Sequence, residues 1–332
     1  MSKGTLFRAV MLAIVIASPL AETCRGDAGV VDDAIQRLAN GPNRLAAKRE
    51  LELASSDEVV PKLVRAILVD PAFSDNGLRY LAYQILYNQR AAQTPEGLDL
   101  LVRGIGDESK EIALVSVRSL RLAPADRYGD IVDAFNMRLP KVEPQVKAEI
   151  YLTAAAVGMP AAGLRAKAVA AFKDSDDAHI VFAATYALLR FGSADVILEK
   201  AQGRSLKANA LRGVIMALAR YGGQTKGSFH IDSAKRNALR NIVIDGAVRA
   251  EEDVRSTAIQ ALIQVFGDEA VLKDGSKSIV NPTLEAALQR AAASPSANDA
   301  TMQDIAQVSG MVRAWAMAKE PKNSDKPNET DK

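Results

Sequence analysis

A short helical pattern recurs along the chain about every 34 residues, and this period constrains the fold more than any other feature. Each copy has a small or apolar residue at one position, here called the landmark, and an apolar residue four positions later. Residues four apart lie on one side of an α-helix, and small side chains let two helices approach closely. The seven landmarks are Ala47, Ala82, Ser116, Ile150, Ala184, Val214 and Ala258.

A second series of shorter helices is predicted between the landmark helices. Thr94-Pro95 and Asn281-Pro282 each place a capping side chain before a proline in the first turn. Gly192, Gly222 and Gly267 are expected to end three of the landmark helices. Such helix pairs bury their apolar faces only by stacking on one another. The second series is expected at Pro61–Val69, Pro95–Ile105, Tyr128–Arg138, Gly163–Phe172, Ala194–Gln202, Ser233–Ile244 and Pro282–Ala293.

The clearest copy, Glu252–Leu262, reads EDVRSTAIQAL. It resembles the Asp-Val-Arg-x-x-Ala-x-x-Ala-Leu second helix of HEAT-like and armadillo-type repeats, and Asp107–Leu120 is a weaker copy. The resemblance covers about residues 28–318 and implies an all-α fold, a right-handed α-solenoid of about seven helix pairs. Tetratricopeptide repeats share the period, but Trp315 is the only tryptophan and no copy carries that family's Trp, Leu-Gly and Tyr series.

Residues 1–21 have the layout of a secretory signal. Lys3 and Arg8 precede an apolar run, Ala9–Ala17, which Pro19 interrupts. A run of roughly ten apolar residues is too short to span a bilayer. We expect cleavage after Ala21, no transmembrane segment in the mature chain, and an extracytoplasmic location, periplasmic or secreted, in a bacterium. A buried N-terminal helix is the alternative.

The cysteine and charge counts narrow the possible partners. Cys24 is the only cysteine, so no intramolecular disulfide can form; it is either incidental or a lipid-attachment site. Loss of Lys3 and Arg8 with the signal reduces 42 basic residues to 40, which equals the 40 acidic residues. A formally neutral chain is not steered toward polyanions, so we expect no nucleic-acid partner.

Two long connections and the C-terminal tail interrupt the period. The connections are residues 222–232 and 267–281. Long connections often carry function, although solvated loops without a function are commoner. Either the repeats form one continuous array, or they divide near Gly222. Residues 319–332 are rich in Lys, Asn, Asp and Pro, which predicts a disordered tail.

The sequence lacks the motifs of familiar catalytic and cofactor sites. It has no phosphate-binding loop, no nucleophile elbow, no His-Glu-x-x-His helix and no Cys-x-x-Cys pair. His179 and His230 are the only histidines, so a His-rich metal site is excluded. Asp174, Asp176 and Asp177 either hold a weak cation or cap the next helix, and capping is the favoured interpretation. We predict no catalytic, metal-binding or cofactor-binding residues.

Tyrosines are concentrated in the landmark helices, which hold or adjoin six of the seven. The resemblance implies that these helices line the concave surface of a solenoid. Tyrosine is frequent at protein interfaces, although packing between repeats with the hydroxyl at the rim explains the same positions. The predicted partner-binding residues are Tyr80, Tyr83, Tyr87, Arg118, Arg121 and Tyr151.

These features favour an exported, non-enzymatic scaffold or binding module that presents a concave helical surface to a protein partner. The alternative is an enzyme or enzyme subunit that uses scattered carboxylates on a HEAT-like fold. A third hypothesis, a nucleic-acid-binding groove, is disfavoured by the neutral charge and the export signal. The sequence does not specify the partner or the oligomeric state.

Overall fold

The computed structural model describes residues 28–159, 162–202, 206–274 and 277–319. The chain divides into two compact units between Gly97 and Leu98. The predicted signal, Cys24 and the predicted tail beyond Lys319 lie outside the described residues. Within the described ranges, no helix is both long enough and apolar enough to cross a membrane.

The described residues form sixteen α-helices and one β-hairpin, which confirms the predicted all-α class. The first unit holds α1 (Ala28–Asn40), α2 (Arg44–Leu53), α3 (Ser56–Val69) and α4 (Asn76–Asn88), and α5 (Pro95–Gly104) crosses the division between the units. The second unit holds α6 (Lys110–Ser119), α7 (Tyr128–Arg138), α8 (Pro144–Val157), α9 (Ala162–Asp174), α10 (Ala178–Arg190), α11 (Ala194–Gln202), α12 (Ala208–Gln224), α13 (Ser233–Gly246), α14 (Glu252–Phe266), α15 (Pro282–Ala292) and α16 (Asp299–Lys319).

All seven landmark helices are present, as the even-numbered helices α2 to α14. The second predicted series corresponds to the odd-numbered helices α3 to α15, and α7 and α11 have the predicted ends. The helix α3 begins at Ser56, before the predicted start at Pro61. Asp57 and Glu58 in its first turn favour this earlier start, because acidic side chains complement the N-terminal end of the helix dipole.

The even-numbered helices of each unit pack on one another in chain order. In the first unit α2 contacts α4, and in the second unit contacts join α6 to α8, α8 to α10, α10 to α12, α12 to α14 and α14 to α16. Landmark residues such as Ala184 and Ala258 are fully buried. At Gly213 in α12, an added Cβ would lie 2.5 Å from the Ala178 carbonyl oxygen and 2.9 Å from the Phe182 nitrogen. The small residues therefore allow the close helix approach that the sequence predicts.

Helix caps confirm several predicted boundaries. The Asn281 side chain accepts a hydrogen bond from the Thr283 nitrogen, and the Thr94 hydroxyl accepts one from the Gly97 nitrogen. Asp177 accepts two bonds from the first turn of α10, so it caps that helix in agreement with the favoured interpretation. Gly192 follows α10 with a φ of 68°, the left-handed conformation typical of a residue that ends a helix.

The two long connections differ from solvated loops. Gly222 does not end its helix, because α12 continues to Gln224, and the turn after it buries Phe229. The second connection forms a 3₁₀ turn, Gly267–Ala270, and an antiparallel hairpin of β1 (Val271–Asp274) and β2 (Lys277–Val280). In the hairpin Val271 pairs with Val280 and Asp274 with Lys277.

Arg240 fastens both connections to the core. It is buried, and its guanidinium group donates to the carbonyl oxygens of Gly227 and Val265 and pairs with Glu269 at 2.7 Å. The helix α12 packs on both α10 and α14, so the stack continues past Gly222 within the second unit.

The helix α12 offers a matched test of close helix packing. Gly213→Ala should lower the free energy of unfolding by about 1–3 kcal/mol, because the new methyl group meets backbone atoms of α10. Gly223→Ala in the same helix meets only the Gln264 side chain, at 3.7 Å, and should leave stability unchanged or raise it by up to about 1 kcal/mol. Urea unfolding followed by circular dichroism measures both, and equal effects would contradict the close approach.

Candidate partner-binding face

The structure distributes the predicted tyrosines between the surface and the interior. Tyr87 on α4 is 42% exposed and Tyr80 is half-buried, whereas Tyr83 is only 3% exposed. In the second unit, Tyr151 on α8 is 4% exposed. Tyr83 and Tyr151 thus occupy the interior, in agreement with the alternative of packing between repeats, and their rings are not presented to a partner.

Tyr151 and the two predicted arginines lie on different sides of the second unit. The Tyr151 hydroxyl donates to the Lys167 carbonyl oxygen on α9, at 3.1 Å. Arg118 and Arg121 instead contact Glu149, which lies two residues from Tyr151 and therefore roughly 200° around α8. The sequence alone did not distinguish these two sides.

Arg118 and Arg121 converge on one carboxylate. The Arg118 guanidinium is 3.2 Å from one Glu149 oxygen, and that of Arg121 is 2.5 Å from the other. Arg121 also donates to the Thr153 hydroxyl, one turn further along α8. The Glu149 side chain is 10% exposed, whereas those of Arg118 and Arg121 are 54% and 32% exposed. This corner of α6 and α8 therefore presents two guanidinium groups to solvent above one buried carboxylate.

Two further arginines, Arg190 and Arg220, lie in the C-terminal parts of α10 and α12. Arg190 is the last residue of α10, and its guanidinium donates to the Ala155 carbonyl oxygen at 3.0 Å. The Arg220 guanidinium on α12 lies 4.9 Å from the centre of the Tyr186 ring, within cation–π range. Both arginines are exposed. Within the described ranges neither pairs with a carboxylate.

The repeat register places these arginines on one side of the stack. Arg118 lies two residues after its landmark, whereas Arg190 and Arg220 lie six residues after theirs. Positions two and six differ by one helical turn, so they share a side. The α8 residues at these two positions are Leu152, half-buried, and Ala156, exposed. We call this side, defined by Arg118, Arg121, Leu152, Ala156, Arg190 and Arg220, the arginine face.

The sequence contained a signal for the two missed arginines. Arg190 and Arg220 occupy the same position in consecutive copies. Glu149 carries no such signal, because it is a single acidic residue in a helix and its role depends on the fold. Comparing residues at equivalent positions of successive copies, and not only residue types, identifies Arg190 and Arg220 as members of the exposed side.

Apolar side chains extend the exposed surface at the last helix, α16. Asp304 receives hydrogen bonds from Ser256 and Gln260 of α14, so it marks the side of α16 that adjoins α14. Met311 and Trp315 follow at spacings of seven and four residues and share that side. They are 43% and 42% exposed.

The second unit also contains a cavity of about 560 Å³ between α11, α12, α13 and α15. Its walls are largely apolar and include Leu198, Leu211 and Ile242. Asp245 is its only acidic lining residue among those described, and it pairs with Arg290 at 3.0 Å. Among the described residues, the cavity therefore lacks the several convergent carboxylates that would favour the enzymatic alternative.

Metal-binding and acid–base groups are not concentrated elsewhere in the described part of the chain. No group of three or more His, Cys, Asp or Glu side chains there has the arrangement of a metal site. The carboxyl pKa values that shift do so downward: those of Glu50 and Glu251 are lowered chiefly by hydrogen bonds from arginine. A lowered pKa means that the charged form is stabilised, so these groups act as ion-pair partners.

Comparison of the sequence with protein-family models and with curated proteins yields no match. A role for the arginine face therefore depends on its own geometry.

The pair of Arg121 and Glu149 should contribute measurably to stability. Arg121→Ala leaves a buried carboxylate with one exposed partner and should lower the free energy of unfolding by about 1–3 kcal/mol. Arg118→Ala removes the more exposed arginine and should cost less than about 1 kcal/mol. Urea unfolding of the single variants and of each double variant with Glu149→Ala gives the coupling energies. A larger coupling for Arg118 would contradict this geometry.

Tyr151 should ionise late in an alkaline titration, because burial raises the pKa of its hydroxyl to about 12. The pKa in the unfolded chain is about 10, so the folded state retains the proton over this interval and loses stability as the pH rises from about 10 to 12. Tyrosinate absorbance should show a late step that Tyr151→Phe removes. If the late step persists in Tyr151→Phe, the assignment to Tyr151 is wrong.

Proposed function

We propose that this protein is an exported, non-enzymatic scaffold or binding module that presents the arginine face to a protein partner. The proposal is carried by three exposed arginines, with the half-buried Arg121, on one face beside the uncharged Leu152 and Ala156. Arginine and aromatic residues are enriched at interfaces, and arginine is a frequent source of binding energy. In this role the protein has no nucleic-acid partner and no cofactor.

The proposed architecture is a right-handed α-solenoid of the HEAT-like type with about seven helix pairs, whose even-numbered helices line the concave side. The alternation of even and odd helices and the contacts between successive even helices support it. In repeat proteins of this kind, neighbouring units build a continuous surface that a partner can follow.

Export is part of the proposal and rests on the layout of residues 1–21. The mature protein then acts in an extracytoplasmic compartment. Without a disulfide, its stability there depends on packing such as the contact at Gly213.

Affinity capture tests the proposal directly. The tagged protein, expressed with its own N-terminus, is recovered from the envelope fraction, and the retained proteins are identified by mass spectrometry. We expect one stoichiometric partner that is lost from a triple variant in which Arg118, Arg190 and Arg220 are replaced by Ala. Loss is expected because these side chains supply the exposed cations of the face.

A matched triple variant controls for charge. Arg103, Arg165 and Arg313 are exposed arginines on α5, α9 and α16, away from the arginine face, and their replacement by Ala should leave capture intact. Equal retention by the two triple variants would overturn the proposed surface. The intact mass of the recovered protein should correspond to cleavage after Ala21, and a full-length mass would overturn export.

A further inference from the structure

Arg190 and Arg220 lack the carboxylate partners that some arginines have in the described part of the chain. Arg127 pairs with Asp130, for example, and Arg290 pairs with Asp245. Arg190 instead has a backbone carbonyl partner and Arg220 an aromatic one. Arg220 on α12 lies over Tyr186, one turn before Arg190 on α10, so the two positive charges are on packed helices, and neither forms an ion pair with a described carboxylate.

We call the pair Arg190 and Arg220 the first cationic point of the arginine face. The pair Arg118 and Arg121, on the same face, forms a second cationic point. Glu149 compensates one of these two charges, so one positive charge remains. Between the two cationic points α8 contributes Leu152 and Ala156, which carry no charge. Along the face, the second cationic point at α6 is therefore followed by an uncharged stretch on α8 and then by the first cationic point on α10 and α12.

The separation of the cationic points sets the length of a matching ligand. Packed helix axes are roughly 8–10 Å apart, so α6 and α10 are separated by roughly 16–20 Å. An extended chain advances about 3.3 Å per residue, so roughly five or six residues cover this distance. A ligand that contacts both points thus needs two anionic groups about six residues apart.

We propose that the arginine face binds an extended acidic segment of the partner protein, with carboxylates at both cationic points and an apolar side chain over Leu152 and Ala156. The inference rests on the proposed function and specifies the partner's chemistry. Guanidinium groups bind carboxylates through paired hydrogen bonds, which gives the contact its specificity. Charge complementarity of this kind also speeds association.

A nucleic acid fits this pattern less well. Each strand carries a phosphate about every 3.4 Å along the helix axis, so some phosphates would lie over the uncharged strip of α8. A protein segment can place apolar residues there and acidic residues only at the ends.

A synthetic peptide that stands in for the partner segment tests the proposal. The probe is fluorescein-labelled Asp-Glu-Ser-Leu-Ala-Leu-Asp-Glu, in which the acidic pairs are six residues apart, and binding is read as fluorescence anisotropy. Two control peptides replace the acids by Asn and Gln or place all four acids at one end. We expect the spaced acidic probe to bind most tightly, with affinity that falls as salt is added.

Matched variants assign the binding to the face. The double variant R190Q/R220Q should weaken binding by about tenfold or more, as loss of charge-assisted hydrogen bonds predicts. The charge-matched double variant R165Q/R313Q should change it less than about twofold, and the charge-conserving R190K/R220K should retain part of it. Circular dichroism checks that each variant is folded.

Several outcomes would overturn the inference. The inference fails if the neutral peptide binds as tightly as the acidic probe, or if R190Q/R220Q binds the probe as tightly as the unmodified protein does. An oligothymidylate that binds more tightly than the probe and displaces it would also overturn the inference. Loss of envelope capture in the triple alanine variant, together with no binding of the acidic probe, would reject the acidic segment and retain the proposed function. If the probe binds but capture of the partner does not depend on the arginine face, the proposed function is rejected.

Discussion

The close approach of successive even-numbered helices is the constraint on which the second unit depends. Ala184 and Ala258 are fully buried at their landmarks, and Gly213 has no space for a methyl group because backbone atoms of α10 occupy it. Close packing of this kind makes the helix spacing nearly uniform, since larger side chains would separate the axes. Equivalent repeat positions on packed helices thereby come close together, and the Arg220 guanidinium on α12 lies over Tyr186, one turn before Arg190 on α10.

Much of the helical framework could be predicted because its cause is local and periodic. The landmark pattern located the seven helices α2 to α14 of the even series, and the capping roles of Thr94, Asp177 and Asn281 followed from short-range chemistry. The hairpin at Val271–Val280 was missed because its strands are four residues long and pair only across a turn. The prediction that Gly222 ends a helix is wrong, because this glycine lies where the backbone of α14 approaches α12, a tertiary reason that the sequence does not display.

The candidate site shows why residue type alone was insufficient. Tyr83 and Tyr151 stand one residue after their landmarks and are buried, whereas Arg118, two residues after its landmark, and Arg190 and Arg220, six residues after theirs, are exposed. One residue corresponds to roughly 100° of helix rotation, which separates a core position from a surface position. Counting tyrosines on a helix therefore does not predict which of them are exposed, because exposure depends on the register relative to buried Ala and Val.

Arginine serves two opposite purposes in this fold, and burial separates them. Arg240 and Arg255 are 4% and 2% exposed and use their donors on backbone carbonyls, which makes them part of the core. A buried guanidinium is tolerated only with such partners, because its desolvation is costly. Arg190 and Arg220 are instead exposed to solvent. Since the mature chain as predicted is formally neutral, their field is local and is screened beyond roughly 8–10 Å in physiological salt. The proposed recognition at this face then requires a segment that lies against it, because a screened local field favours short-range contacts over long-range attraction of any polyanion.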